Sequence, residues 1–396
     1  MDRDIFVTPP KEAGMDGYLW KMRKAAYGLY DAGRRWWIKV MEVMNELGGK
    51  TLVGDESMVV FHVDGKLAGL IGMHVDDFQG TGNDWFFANV IDSLCQKFKI
   101  SKRERQVFRF TGVDVTGCED GNVLISQEKY SESLEKIKVD SNDDPNRPLT
   151  RNEFKSYRGL VGQLTWLSEM TRPDLSYDTL DLAGYNKEAT VRNLKMINKI
   201  VDKAKKTKGT VKYSRIGDFS DLKILAISDG GLNRREDRTQ SVMGKTIFLS
   251  NKNETKVAPI LWKSKTIQTV CKSAKTAETR ALDKTLEDAI YLARCVHEIY
   301  TGERGEKQIP VDAVTDSQSL LDSIESTKQV EEKLMRPVIK WIKQVMDSGA
   351  VSTIRWCDTC VCVSDAFTKP GSKLNQTLNE IFATGQMIDL SFSNKR

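Results

Sequence analysis

Hydrophobic and polar positions change period several times along this chain, and each change marks a different element. Between Met58 and Gly82, apolar runs at 58–63 and 67–75 flank Asp64-Gly65 and predict a β-hairpin. The second run closes at Asp76-Asp77, and Gly80 and Gly82 beyond it read as a turn. Phe87, Val90, Ile91, Leu94 and Phe98 then recur at spacings of three and four, the period of a helix buried along one face. A further hairpin is predicted at Asp120-Gly121, and the Asn/Asp/Pro cluster over 141–148 reads as a linker. Tyr157, Leu160, Val161, Leu164 and Leu167 form the next helical stripe. It stops at Thr171-Arg172-Pro173, because proline disfavours helix in the residue before it. Residues 195–208 predict a basic helix closed by Gly209.

From Leu222 the pattern is different. Residues 222–228 are nearly all apolar and end in Asp229; 246–249 and 260–264 are further strands. A long helix over 276–300 carries Leu282, Leu286, Ala289, Ile290, Ala293 and Val296 on one face. A strand at 311–315 ends in Asp316, and a helical stripe with Trp341, Ile342 and Val345 opens at Pro337. A strand at 351–356 and a short helix carrying Asp365 follow. The order is strand, strand, strand, helix, strand, helix, helix, strand, helix.

A length of 396 residues exceeds one ordinary core and predicts two or three domains. Hydrophobic residues at 40% and charged residues at 29% are a globular balance. No apolar run reaches about 18 residues, so no membrane partner is predicted. The opening Met1-Asp2-Arg3-Asp4 lacks the layout of a secretory signal, and seven irregularly spaced cysteines predict reduced thiols in an intracellular protein. The net charge of +5 permits a nucleic-acid partner without demanding one. Two basic stretches say more: 97–109 carries six Lys or Arg, and 195–212 carries seven with a single acid. Such stretches neutralise phosphates or form solvated faces.

Four carboxylates occupy informative places. Asp229 and Asp316 end apolar strands, Glu278 lies near the start of the long helix, and Asp365 starts a short one. Glu278 precedes Leu282 by four and so shares the core-facing side of its helix. A carboxylate there is costly unless paired or bound to a cation. Four acids converging at the end of a sheet would suit Mg²⁺ or Mn²⁺. Each also has an ordinary reading. Asp229-Gly230-Gly231 makes a turn, Asp316 and Asp365 cap helices, and Glu278 sits well in a first turn.

The words around these acids resemble a known family. Lys24-Ala25-Ala26-Tyr27-Gly28-Leu29-Tyr30, followed by Trp36-Trp37, resembles the Lys-Ala-Leu-Tyr-Gly-Leu phrase of Copia-type retrotransposon Pol polyproteins. His74-Val75-Asp76-Asp77 resembles their Tyr/Phe-Val-Asp-Asp turn; His74, replacing the aromatic residue, reads as a half-buried neutral side chain. The stretch from Tyr157 to Trp166 and Thr171-Arg172-Pro173-Asp174 are similar to the region beyond the reverse-transcriptase palm. Trp262-Lys263-Ser264-Lys265, Gln268-Thr269-Val270, Ser273 and Ala277-Glu278-Thr279-Arg280-Ala281 resemble the RNase H strand and first helix. Ser364-Asp365-Ala366-Phe367-Thr368-Lys369-Pro370 is similar to the closing Ala-Asp-Ile-Leu-Thr-Lys-Pro. The phrases keep the family's order from about Ile5 to Pro370. The departures are Thr276 and Thr279, where an acid and an aromatic residue are usual. In addition, none of His62, His74 and His297 falls where retroviral RNases H carry a histidine.

The resemblance implies an α+β palm remnant over 1–140 and a mainly helical thumb and connection over 141–218. An α/β RNase H-like domain with a mixed five-stranded sheet follows over 219–370, and a tail over 371–396. It implies that Asp229, Glu278, Asp316 and Asp365 hold two Mg²⁺ (or Mn²⁺) ions while water attacks the RNA strand of an RNA–DNA hybrid. Asp76 and Asp77 match two of three palm carboxylates. The third belongs to a strand that, in the family, precedes the phrase starting here at Asp4, so the palm metal site reads as incomplete and polymerase activity as absent from this chain alone. The implied partners are a hybrid, an RNA or DNA template, and the remaining reverse transcriptase or other Pol and Gag products. The implied compartment is the cytoplasm, a virus-like particle or the nucleus. An inert nucleic-acid-binding relic and one subunit of a split RNA-directed DNA polymerase are the alternatives.

Overall fold

The computed structural model describes residues 4–23, 26, 28–100, 102–185, 187–232, 240–328, 330 and 332–390. Of the phrase at 24–30, Lys24, Ala25 and Tyr27 lie outside these residues. The chain forms two compact units, 1–103 with 299–302, and 104–298 with 303–396.

In the first unit, helix α1 (Ala32–Glu46) precedes strands β1 (Lys50–Thr51), β2 (Met58–Val63), β3 (Lys66–His74) and β4 (Asp77–Gly82). The four strands form one antiparallel sheet in chain order. The Asp64-Gly65 hairpin is present, with φ of 50° and 74° at its two central residues. Such a turn favours glycine where the chain turns left-handed. The expected turn at Gly80 and Gly82 is instead strand β4. Gly69 and Gly82 are register partners, and a Cβ on either would lie 2.3 or 2.5 Å from the ring of fully buried Phe86. Here the glycines make room for a ring. The helical stretch from Asp84 to Phe98 contains one π turn at Phe87–Ile91 and packs Phe86, Val90 and Leu94 against Val59, Phe61 and Ile71.

In the second unit, strands β5 (Val107–Phe110), β6 (Val113–Gly117) and β7 (Val123–Ser126) form a meander. They continue into helices α2 (Arg151–Met170), α3 (Ser176–Ala183) and α4 (Val191–Lys206) and then strand β8 (Thr210–Tyr213). Strand β8 pairs with β7, closing a four-stranded sheet. That pairing moves the first boundary to Arg103/Glu104 rather than 140. Nor is 141–148 a free linker. Val191 donates to Arg147 O and Arg192 to Pro145 O, so this segment lies on the start of α4. Helix α2 begins in a Thr150/Glu153 capping box and buries its predicted stripe. Gly209 does not end α4 in a left-handed turn. It makes room for Arg172, whose Cδ would lie 2.0 Å from a Cβ there.

Strands β9 (Leu222–Gly231), β10 (Val242–Asn251) and β11 (Val257–Thr266) are antiparallel. Helix α5 (Ala274–Thr301), strand β12 (Val311–Thr315), helices α6 (Gln318–Glu325) and α7 (Arg336–Asp347), and strand β13 (Thr353–Trp356) follow. Strands β12 and β13 run parallel to β9, giving the mixed order β11-β10-β9-β12-β13. This is the five-stranded sheet expected of an RNase H-like domain. Ile224 and Ala226 of β9 face Leu282, Leu286 and Ala289 of α5. Leu225 and Ile227 alternate to the other face. Helix α8 (Leu374–Thr384) covers that face with Leu378, Ile381 and Phe382, each at most 1% exposed. The helix over 374–384 therefore belongs to the domain rather than to a separate tail, because a sheet with two apolar faces needs cover on both.

Candidate metal centre

Asp229 stands near the end of β9, the central strand, and is 2% exposed. Two glycines beside it decide what reaches it. A Cβ on Gly230 would lie 2.4 Å from the backbone nitrogen of Glu278, so only glycine lets the start of α5 come so close. A Cβ on Gly244, the register partner of Asp229, would lie 2.5 Å from Ser364 O. The short 3-10 turn Val363–Phe367 is admitted on that side.

Glu278 Oε2 accepts a hydrogen bond of 3.0 Å from the Gly230 N–H. Asp316 follows β12, which is parallel to β9 and next to it, so both strands deliver their acids to the same edge. Asp316 Oδ2 accepts from the Thr359 hydroxyl at 2.8 Å, and its carbonyl accepts from Trp356 Nε1 at 3.0 Å. One oxygen from each of Asp229, Glu278 and Asp316 lies within 4.8 Å of the others. The N-cap of α6 is Ser317, not Asp316.

Asp365 departs from the expected foursome. It is 6% exposed in the 3-10 turn, but it does not join the three-acid group. Its carboxylate pairs with Lys369 and accepts from Ser372 Oγ at 2.8 Å. The turn reaches Asp229 through a different residue, Thr368, whose hydroxyl donates to Asp229 Oδ2. Asp76 and Asp77 lie in the other unit at the exposed β3–β4 turn, where Val75 has φ of 55° and its carbonyl accepts from Trp36 Nε1 at 2.8 Å. Among the described residues no third acid joins them in a group able to share an ion. His74 is exposed rather than half-buried, since it is the last residue of β3 before that turn.

Residues 1–150 match the family described as reverse transcriptase (RNA-dependent DNA polymerase). The retrovirus-related Pol polyprotein from transposon RE1 of Arabidopsis thaliana is 26% identical over 313 residues, covering 75% of this chain and 20% of that protein. The corresponding polyprotein from transposon TNT 1-94 of Nicotiana tabacum is 22% identical over 380 residues, covering 90% of this chain and 28% of that protein. The chain is related to Copia-type retrotransposon Pol polyproteins. It spans less than a third of the length of these two Pol relatives. Among solved structures, RNase H1 from Halobacterium salinarum aligns at 15% identity and a TM-score of 0.29, covering 40% of this chain and 98% of that one.

Within this Pol-related chain, the three acids crowd one another. Burial first, and then the charges of Asp229 and Asp316, push the Glu278 carboxyl up to about 9, while the Gly230 N–H and the Lys369 ammonium pull it down. Three converging oxygen donors that repel one another are compatible with a divalent metal cation. Sequence reasoning did not single out Gly230, Gly244, Thr359, Thr368 or Lys369. Thr368 and Lys369 lie inside a matched phrase, and Gly230 adjoins an acid. Gly244 had only one signal, a glycine interrupting a strand pattern.

Proposed function

We propose that residues 222–384 act as a metal-dependent ribonuclease H that hydrolyses the RNA strand of an RNA–DNA hybrid, with Asp229, Glu278 and Asp316 holding the cation. One observation carries this reading: three acids from separate elements place oxygens within 4.8 Å at one edge of a mixed sheet. When bound, a divalent cation supplies Lewis-acid activation of water and of the departing oxygen of a phosphodiester.

The chain's own part is to hold these oxygens ready. Thr368 fixes one oxygen of Asp229, Thr359 fixes one of Asp316, and the Gly230 N–H fixes one of Glu278. Side chains locked in this way need little rearrangement when a cation arrives. RNA is told from DNA by its 2′-hydroxyl, which is both donor and acceptor, and the basic segments at 97–109 and 195–212 supply sequence-independent attraction to phosphate. The hybrid, its template and other parts of a Pol polyprotein are the partners of this reading, and the cytoplasm, a virus-like particle or the nucleus its compartment. Asp76 and Asp77 serve polymerase chemistry only where a third carboxylate is supplied to them.

The test is a labelled RNA–DNA hybrid incubated with the purified chain, with Mg²⁺ or with chelator. Cleavage that needs Mg²⁺ and falls by roughly 100-fold or more in Asp229→Asn and Asp316→Asn supports the reading. Hybrid binding without turnover in the unaltered chain would overturn it.

A further inference from the structure

The fourth acid of the site is already occupied by a cation of the chain's own. Asp365 is 6% exposed, and a carboxylate buried to that degree needs compensation. Its compensation is local: Lys369, four residues on, forms the ion pair, and Ser372 donates to Oδ2 at 2.8 Å. Lys369 is not a loose surface residue. Its backbone N–H donates to Asp365 O at 3.2 Å, and its side chain is 30% exposed. The preceding residue, Thr368, is tied to Asp229. The ammonium charge also pulls the Glu278 carboxyl down.

Charge sets the consequence. Asp229, Glu278, Asp316 and Asp365 carry four negative charges when ionised. The ammonium already cancels one of them, so a first divalent ion meets three negative charges and leaves one, and a second divalent ion meets only that one.

We propose that Lys369 is a built-in counter-cation that withholds Asp365, so that one divalent ion binds at Asp229, Glu278 and Asp316 far more tightly than any second. This rests on the metal-centre reading above and deepens it. Lys369 thereby sets the working metal requirement of the site, and it does so as a positioning residue that holds a carboxylate away.

The test counts ions rather than turnover. The full chain is titrated with Mn²⁺, and free and bound metal are followed by electron paramagnetic resonance, with circular dichroism as the check on folding. The unaltered chain takes one ion at least about tenfold more tightly than a second. In Lys369→Gln the second ion tightens by about tenfold or more while the first changes much less, and Lys369→Arg keeps the original pattern. Adding Asp365→Asn to Lys369→Gln removes the gain. Two equally tight ions in the unaltered chain, or no change of the ratio in Lys369→Gln, would overturn the inference and leave the metal centre standing. Absence of any Mn²⁺ binding in the unaltered chain would remove the metal centre and this inference with it.

Discussion

Thr368 donates its hydroxyl to Oδ2 of Asp229, although 139 residues separate the two in the chain. The contact is buried on both sides, and it joins the last phrase of the domain to the middle of its central strand. A hydrogen bond to a charged group is worth about 1.5–3 kcal/mol. Thr368→Ala should therefore lower hybrid cleavage by roughly tenfold or more, with Thr368→Ser close to the unaltered chain. Single-turnover rates at saturating Mg²⁺ measure this; equal rates in the alanine variant would show that the contact does not orient Asp229.

Glu278 links the site to stability. Its carboxyl is pushed up from 4.5 to about 9, first by burial and then by Asp229 and Asp316. The folded chain thus holds a proton that the unfolded chain releases above about pH 4.5. Between these two values the folded state binds more protons, so stability falls as pH rises from about 4.5 towards about 9. In chelator, Glu278→Gln should flatten this decline and raise the melting temperature at pH 8. Added Mg²⁺ should stabilise the unaltered chain and have much less effect on the variant. Calorimetry at several pH values decides the matter, and a decline of the same slope in Glu278→Gln counts against the crowding argument.

Gly230 is the position where α5 meets the central strand. Any Cβ there lies 2.4 Å from the Glu278 nitrogen and 2.5 Å from the Ala277 carbonyl carbon, both backbone atoms that cannot swing aside. Gly230→Ala should cost about 1–3 kcal/mol, the range of an overpacked core, and should also weaken Mn²⁺ binding by shifting Glu278. Urea unfolding together with a metal titration separates the two effects. Full stability and unchanged affinity would show that the helix moves without consequence.

Arg172 and Asp174 form a bidentate ion pair at 2.8 and 2.9 Å, and their side chains are 2% and 3% exposed. Arg172 also donates to Ala204 O at 2.8 Å and Thr207 O at 2.6 Å, so it closes the C-terminal end of α4. Removing one partner of a buried pair costs about 3–5 kcal/mol. Asp174 would keep its longer pair to Lys203 at 3.7 Å, which places the loss at the lower end of that range. Arg172→Ala should lower the urea midpoint accordingly. Arg172→Lys should recover little, since an ammonium cannot make the planar fork. This explains physically why Thr171-Arg172-Pro173-Asp174 stands as a unit, a role that its place in the sequence did not reveal.

Most of the elements and their order were legible from local pattern, although the strands at 77–82 and 210–213 were not. Helical stripes such as Tyr157 to Leu167 and strand runs such as 222–228 are local patterns, and local pattern is set by the period of the backbone. The sequence also placed Asp229 and Asp316 at strand ends and Glu278 on the inner face of its helix, three positions that the fold brings to one edge. Which acids meet depends on packing between distant segments. Asp365 was legible as a fourth candidate, yet its carboxylate turned to Lys369 and Ser372, and Thr368 took the contact with Asp229. The glycines divide in the same way. Gly65 could be read from its hairpin, because positive φ is a local demand. Gly69, Gly209, Gly230 and Gly244 were not legible, because each makes room for atoms distant in the chain. Period and turn chemistry act between neighbours in sequence. Steric room and charge pairing act between neighbours in space, and these exist only once the chain has folded.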